Sequence, residues 1–237
     1  MTPGVVLAFD TATAATVVGV SVNGEVVSQL ADRPEVDERP RHAERLLSLC
    51  EQALSEAGKG WADVERLGVG VGPGTFTGLR IGIATTRGLQ QACGAQAIAV
   101  SSLEALALPA RIANPDSRVA AVLDARRSEA FVACWDANGA LVVPPQAVGP
   151  ERLAAAIGAD EPEVLAVGDG AVLFRGSLEE ASIAVPNADS PLHHISAASL
   201  CQLAASGEPS DPRRLMPDYV RRADAEITLE NRLSNGG

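Results

Sequence analysis

The stretch Gly70-Val71-Gly72-Pro73-Gly74-Thr75-Phe76-Thr77-Gly78-Leu79-Arg80-Ile81-Gly82 constrains the fold of this chain more than any other. The apolar run Leu67–Val71 enters a glycine-proline turn and leaves it in a helical pattern, so the local reading is strand, tight turn, helix. Gly72 and Gly74 permit positive φ and close backbone approach, while Pro73 fixes φ and removes a donor. Thr75 or Thr77 is placed to cap the helix. Amides exposed at such a helix start suit an anion, and a compact strand-to-helix corner is an equally good use of the same residues.

On either side the pattern is α/β. Val5-Val6-Leu7-Ala8-Phe9-Asp10 reads as a strand ending in a carboxylate, followed by the polar turn Thr11–Thr16, the strand Val17–Val22, the hairpin pair Asn23-Gly24 and the strand Glu25–Leu30. A charged, proline-bearing loop, Asp32–Arg41, leads into a helix over 41–57. On its wheel Ala43, Leu46, Leu47, Leu49, Cys50, Ala53, Leu54 and Ala57 span roughly 160°, wider than the ~100° a surface helix needs, so one margin of the arc is expected to meet something besides its own sheet. His42, at the helix start, reads as a capping or surface residue. A second helix over 77–93 is apolar or small nearly all round, and Gly78 and Gly82 form a ridge that another helix could approach closely. In the second half Arg118–Leu123, Asp124, a turn, Glu129–Asp136, Asn138-Gly139 and Ala140–Val143 repeat the opening order. Asp124 follows Asp10 by 114 residues, which reads as an internal duplication. Pro144-Pro145 and Pro150 break that pattern before a short helix, Glu151–Ile157. Beyond the strand Glu163–Val167 and the turn Gly168-Asp169-Gly170, helices are expected over Arg175–Ile183 and Ser196–Ala205, with a frayed polar tail over 224–237.

With 237 residues of which 46% are hydrophobic, the chain can bury a real core as one large domain or two small lobes. Its formal net charge of −11, with Lys59 the only lysine, opposes unaided binding to a phosphate backbone. Cys50, Cys93, Cys134 and Cys201 stand singly in apolar segments, without the spacing of a zinc or redox site, and read as buried thiols of a reducing cytoplasm. No run approaches the ~18 apolar residues of a membrane span, so a soluble, cytoplasmic protein is expected.

The glycine-proline stretch, together with Arg87-Gly88-Leu89, closely resembles the TsaB family, the accessory subunit of bacterial tRNA threonylcarbamoyladenosine (t6A) synthesis. The likeness is strong over Val6–Leu106, and Pro217-Asp218-Tyr219-Val220-Arg221-Arg222 is similar to that family's carboxyl-terminal signature. The opening segment resembles the actin-like ATPase and sugar-kinase fold, in which the aspartate helps to hold a metal-nucleotide. Here Asp10 is kept, but Ala12 stands where a glycine would be expected. Gly168-Asp169-Gly170 resembles the turn beside the adenosine in the same folds. In the sister family, the catalytic TsaD subunit, the run resembling Val100–Leu106 carries two histidines one helical turn apart. Ser102 and Leu106 occupy those places, and neither can replace an imidazole as a metal ligand. An older description of the wider family as glycoprotease-like would demand a metal for which this chain offers no ligand set.

The resemblance implies two RNase H-like lobes of the actin and sugar-kinase type, each a mixed sheet flanked by helices. The first would span 1–103, completed by the helix near 196–206, and the second 104–190. It implies a non-catalytic scaffold in t6A modification, with no metal and no cofactor of its own, ATP or ADP entering only in the complex. The partners implied are a TsaD-like catalytic subunit, a TsaE-like ATPase and, indirectly, tRNA, with a homodimer when the chain is alone. The partner-binding helical face expected is Leu46, Leu49, Cys50, Ala53, Gly78, Leu79, Gly82 and Ile83. A vestigial nucleotide site would comprise Asp10, Gly72, Gly74, Gly168 and Gly170. The rival reading is a free-standing actin-fold ATPase or small-molecule kinase using Asp10 and the glycine turns. No Ser/His/Asp order and no Walker lysine supports a different chemistry.

Overall fold

The structure, a computed structural model, describes residues 3–35, 38–158, 163–211 and 213–220. The expected tail 224–237 and the arginines of the carboxyl-terminal signature lie outside the described residues. Strand β1 (Val5–Asp10) is the centre of a five-stranded sheet of order β3-β2-β1-β4-β5. It pairs antiparallel with β2 (Thr16–Val22), which pairs antiparallel with β3 (Glu25–Asp32), and parallel with β4 (Arg66–Gly72), which pairs parallel with β5 (Gln96–Ser101). All six residues of β1 are buried. Alternate side chains of a strand point to opposite faces, so an all-apolar run requires cover on both. Val5, Leu7 and Phe9 pack with helices α1 (His42–Glu56) and α2 (Phe76–Cys93), while Val6 and Ala8 pack with α3 (Ser102–Ala113) and α7 (Ala197–Ser206). Arg66 at the start of β4 secures α7: its Nη1 donates to the carbonyls of Ala204, Ala205 and Gly207 at 3.1, 3.0 and 2.8 Å, the end of the helix that favours a cation.

The second sheet has order β8-β7-β6-β9, from β6 (Arg118–Arg126), β7 (Glu129–Trp135), β8 (Leu141–Val148) and β9 (Val164–Val167). Its central β6 pairs antiparallel with β7 and parallel with β9, the arrangement β1 has with β2 and β4, so the duplicated order seen in the sequence is a duplicated topology. Val119, Ala121 and Leu123 share a core with α3 and α7, and Ala120 and Val122 pack with α4 (Pro150–Ile157) and α6 (Arg175–Glu180). The core containing α3 and α7 is therefore common to both sheets. Two mixed sheets flanked by helices are the architecture the sequence implies.

Two expectations are corrected. Pro144 and Pro145 do not end the β7–β8 pattern but lie inside β8. This strand is at the sheet's edge, where a missing donor costs no ladder bond, and the register shifts beside the prolines. The helix expected over 175–183 is the shorter α6, which ends at Glu180, and a further short helix, α5 (Asp169–Leu173), begins within the expected Gly168-Asp169-Gly170 turn.

Candidate functional site

The glycine-proline turn joins β4 to α2, with Gly72 at φ 112° and a cis Gly72-Pro73 bond. Its purpose is visible in what it touches. Asp10, wholly buried at the end of β1, accepts from the Ala12 amide at 2.6 Å and from Ser102 Oγ at 2.6 Å. A Cβ on Gly70 would run into the same carboxylate, so glycine is required there by close approach. Gly74 lies against Ala12, where an added Cβ would sit 2.5 Å from the Ala12 Cβ and carbonyl oxygen, and the Thr75 amide donates to that carbonyl at 2.7 Å. Thr11 Oγ1 donates to the Gly78 carbonyl at 2.8 Å. The two turns thus clasp one another directly. Of the expected nucleotide-site residues, Gly74 reaches the Asp10 turn through Ala12, while Gly72 lies against Leu79 and the Asp218 carbonyl, and each is engaged with the chain itself. Burial pushes the Asp10 carboxyl up from its ordinary value, against the pull of the Ser102 and Ala12 hydrogen bonds. Thr75 is the residue before α2, yet its side chain makes no capping bond.

Gly168 and Gly170 stand apart from that clasp, the first between β9 and α5 and the second within α5. A Cβ on Gly168 would strike the Val122 carbonyl, and one on Gly170 would come within 2.8 Å of the Leu123 carbonyl carbon. The Gly168 amide donates to His193 Nδ1 at 3.1 Å, and His193 Nε2 lies 3.1 Å from the carbonyls of Pro186 and Asn187. His193 is a buried junction residue, as one of the two expected readings had it, while His194 is exposed.

The helical face needs correction at the level of residues. Leu46, Leu49, Cys50, Ala53, Leu79 and Ile83 are all buried within this chain. Gly78 and Gly82 form a ridge, but it meets the Asp10–Thr13 turn: a Cβ on Gly78 would enter the Thr11 carbonyl, and one on Gly82 would lie 2.7 Å from Thr11 Oγ1. These eight positions are core, because the inner side of both helices is consumed by β1, β2 and β4. What α1 and α2 offer outward is Ala43 and Leu47, the latter 49% exposed, and Phe76, Arg80, Ala84 and Gly88.

Several residues escaped sequence reasoning. His42 is neither cap nor surface: it is buried, with Nδ1 2.8 Å from Thr16 Oγ1. Burial holds its imidazole below the ordinary value, with Thr13 and Asp32 acting in the opposite sense. Beside it, Asp32 at the end of β3 receives Arg41 through two bonds, 2.7 and 3.3 Å. The described part of the carboxyl-terminal signature, with Leu215 before it, is a strap over the end of β4 and α2. The Asp218 amide donates to the Val71 carbonyl at 2.7 Å, Arg87 Nη2 to the Leu215 carbonyl at 2.8 Å, Tyr219 stacks on Phe76, and Arg80 lies 3.7 Å over the Phe76 ring. Cys50, Cys134 and Cys201 are buried, and burial pushes the Cys201 thiol up to about 12 and Cys134 to about 11. Among the described residues no group of three His, Cys, Asp or Glu is placed to hold a metal ion, and no helix is long and apolar enough to cross a membrane.

His42 sets a pH dependence of known sign. Above the unfolded value of 6.5 both states are neutral. Below it the unfolded chain takes up a proton that the buried imidazole resists, so folding stability falls as pH drops from there. His42→Gln should flatten that part of the stability-against-pH curve measured by urea titration, and His42→Ala should cost about 2 kcal/mol at pH 8 through the lost Thr16 contact. A curve unchanged by His42→Gln would place the titration elsewhere.

With the geometry in view, comparison with known proteins is direct. Residues 33–173 match the family model for TsaD, tRNA N6-adenosine threonylcarbamoyltransferase. The tRNA threonylcarbamoyladenosine biosynthesis protein TsaB of Escherichia coli (strain K12) is 36% identical over 136 residues, 56% of this chain and 57% of its own length. Its namesake in Bacillus subtilis (strain 168) is 30% identical over 202 residues, 79% of this chain and 83% of its own. Among solved structures, YeaZ from Pseudomonas aeruginosa matches with a TM-score of 0.71 and 31% identity, covering 91% of this chain and 99% of its own.

Proposed function

Because the chain belongs to the TsaB family, we propose that it acts in tRNA t6A modification as a non-catalytic accessory subunit that pairs with a TsaD-like catalytic subunit. The observation that carries the non-catalytic part is what occupies the two places where the sister family resembles a metal-binding pair. Ser102 spends its hydroxyl on Asp10 at 2.6 Å, and Leu106 is wholly buried in the core shared by the two sheets. Both positions serve packing. Asp10 in turn is shut in by Gly70, Ala12 and Ser102, which disfavours the rival ATPase or kinase reading. In this account the chain takes no cofactor of its own, ATP or ADP enters with a TsaE-like component, and tRNA is held by the assembly, consistent with a net charge of −11.

Docking would use the outward residues of α1 and α2, with Leu47 and Ala84 as the apolar points, and the same surface would close a homodimer about a two-fold axis when the partner is absent. The test is complementation of a deletion strain, with t6A measured in digested tRNA by mass spectrometry and partners identified by co-purification. Wild type should restore t6A and recover the TsaD-like subunit. Leu47→Arg with Ala84→Arg should lose both while the purified protein keeps its circular dichroism, since neither side chain is in the core. Unchanged t6A in the deletion strain, or ATP turnover by the isolated chain that Asp10→Asn abolishes, overturns the reading.

A further inference from the structure

A cavity of about 320 Å³ opens between the β2–β3 hairpin and the segment that enters α7. Val17 and Leu30 form one apolar wall, Leu192 and Ile195 the other, and Pro109 of α3 closes it. The polar lining is Arg33, His194, Gln29 and Ser196. Among the described residues no carboxylate lines it, although 30 of the 237 residues are acidic. The positive lining therefore runs against the charge of the whole chain. Arg33 and His194 come from separate segments, one following β3 and one preceding α7, and are close enough that the guanidinium disfavours a second charge on the imidazole. The guanidinium holds the imidazole toward its neutral form until an anion between them offsets the repulsion. Ser196 begins α7 as its cap, Oγ accepting from the Ser199 amide at 3.2 Å, so the positive end of that helix also borders the space. None of Asp10, Gly72, Gly74, Gly168 or Gly170 lines it.

We propose that this cavity binds a small organic carboxylate, its apolar body against Val17, Leu30 and Ile195 and its carboxylate between Arg33 and His194. The volume lies at the small end of the ~300–1,000 Å³ typical of ligand sites, which suits a molecule built on one or two rings. A bare oxyanion would leave the apolar walls uncovered, whereas a neutral molecule would leave the Arg33 charge unanswered. The bound carboxylate favours the imidazolium form of His194, so binding takes up a proton and strengthens as pH falls. The groups that set this response are Arg33 and His193, which oppose protonation of His194 together with its partial burial, and Asp169, which favours it. The site is independent of the role in tRNA modification, because the binding is measured on the chain alone.

Isothermal titration of the full-length protein with indole-3-acetate, its alcohol analogue tryptophol and inorganic phosphate tests this. Indole-3-acetate should bind about tenfold or more tighter than either of the others, the scale of one charge-assisted contact. Its affinity should rise between pH 8 and pH 6. Arg33→Gln should weaken it by a similar factor, and His194→Gln should remove the pH dependence. Both residues are exposed, so these variants should fold as wild type does. Ala31→Leu, which fills the space from β3, should abolish binding of acid and alcohol alike. Absence of heat at millimolar indole-3-acetate, equal affinity for acid and alcohol, phosphate binding as tight as the acid, or affinity indifferent to Arg33→Gln and Ala31→Leu in folded protein would each overturn the proposal.

Discussion

Gly78→Ala should lower the melting temperature by roughly 5–10 °C, whereas Gly88→Ala on the same helix should raise it by a few degrees. Both substitutions gain up to ~1 kcal/mol of helix propensity, so propensity alone predicts the same sign. The surroundings separate them. A Cβ on Gly78 meets the Thr11 carbonyl, which is backbone and cannot turn aside, while nothing lies within 4 Å of one on Gly88. Moving α2 outward would also strain the Thr11 Oγ1 bond to the Gly78 carbonyl. Overpacking of this kind costs about 1–3 kcal/mol, sometimes more, and the lost hydrogen bond about 1 kcal/mol, leaving a net loss of about 1–3 kcal/mol after the helix gain. Thermal unfolding followed by circular dichroism reads both variants. A stabilised Gly78→Ala would mean that the clasp between α2 and the Asp10–Thr13 turn is loose, and the case for a closed Asp10 would fail with it.

Asp10 should separate two substitutions that activity assays alone would confuse. Asp10→Ala removes the acceptor of two short hydrogen bonds, leaving the Ala12 amide and the Ser102 hydroxyl buried without it, at a cost of about 2–4 kcal/mol. Asp10→Asn can accept from the Ala12 amide through Oδ1 and donate to Ser102 Oγ through its amide, so it should match or exceed wild type. The sign with pH follows from burial. The folded-state value is raised above the ordinary 3.8, so below 3.8 both states hold the proton and nothing is lost. As pH rises from there toward the folded value the unfolded chain ionises first, and wild-type stability declines. The advantage of Asp10→Asn over wild type should therefore grow from pH 3 upward and then level. Denaturant titration of both proteins across pH isolates this one group. Should Asp10→Asn prove as damaging as Asp10→Ala at neutral pH, the carboxylate's charge is needed in the folded state, and a cation or ligand at Asp10 returns to consideration.

The sequence by itself determined the strands other than the full length of β8, the hairpin at Asn23-Gly24 and the strand-turn-helix around Pro73, because each rests on spacing within a few residues, and the same local patterns recurring 114 residues on gave away the duplicated order of the two halves. It also determined that positions 102 and 106 carry no imidazole, since that is a matter of identity alone. Tertiary structure decided what covers each face. A 3.6-residue period says which side chains share a side of α1, but the chain's own sheet claimed Leu46, Leu49, Cys50 and Ala53 and left Leu47 outside. Small residues on α2 announced a close approach without naming the visitor, which is the turn carrying Thr11. The burial of His42 depends on Thr16, 26 positions away, and that of Asp10 on Ser102, 92 positions away. Pro144 and Pro145 are permitted in β8 only because that strand finished at an edge. Local patterns record short-range sterics and periodicity, whereas burial, pKa shifts and cavities arise from pairs that the chain brings together only when it closes on itself.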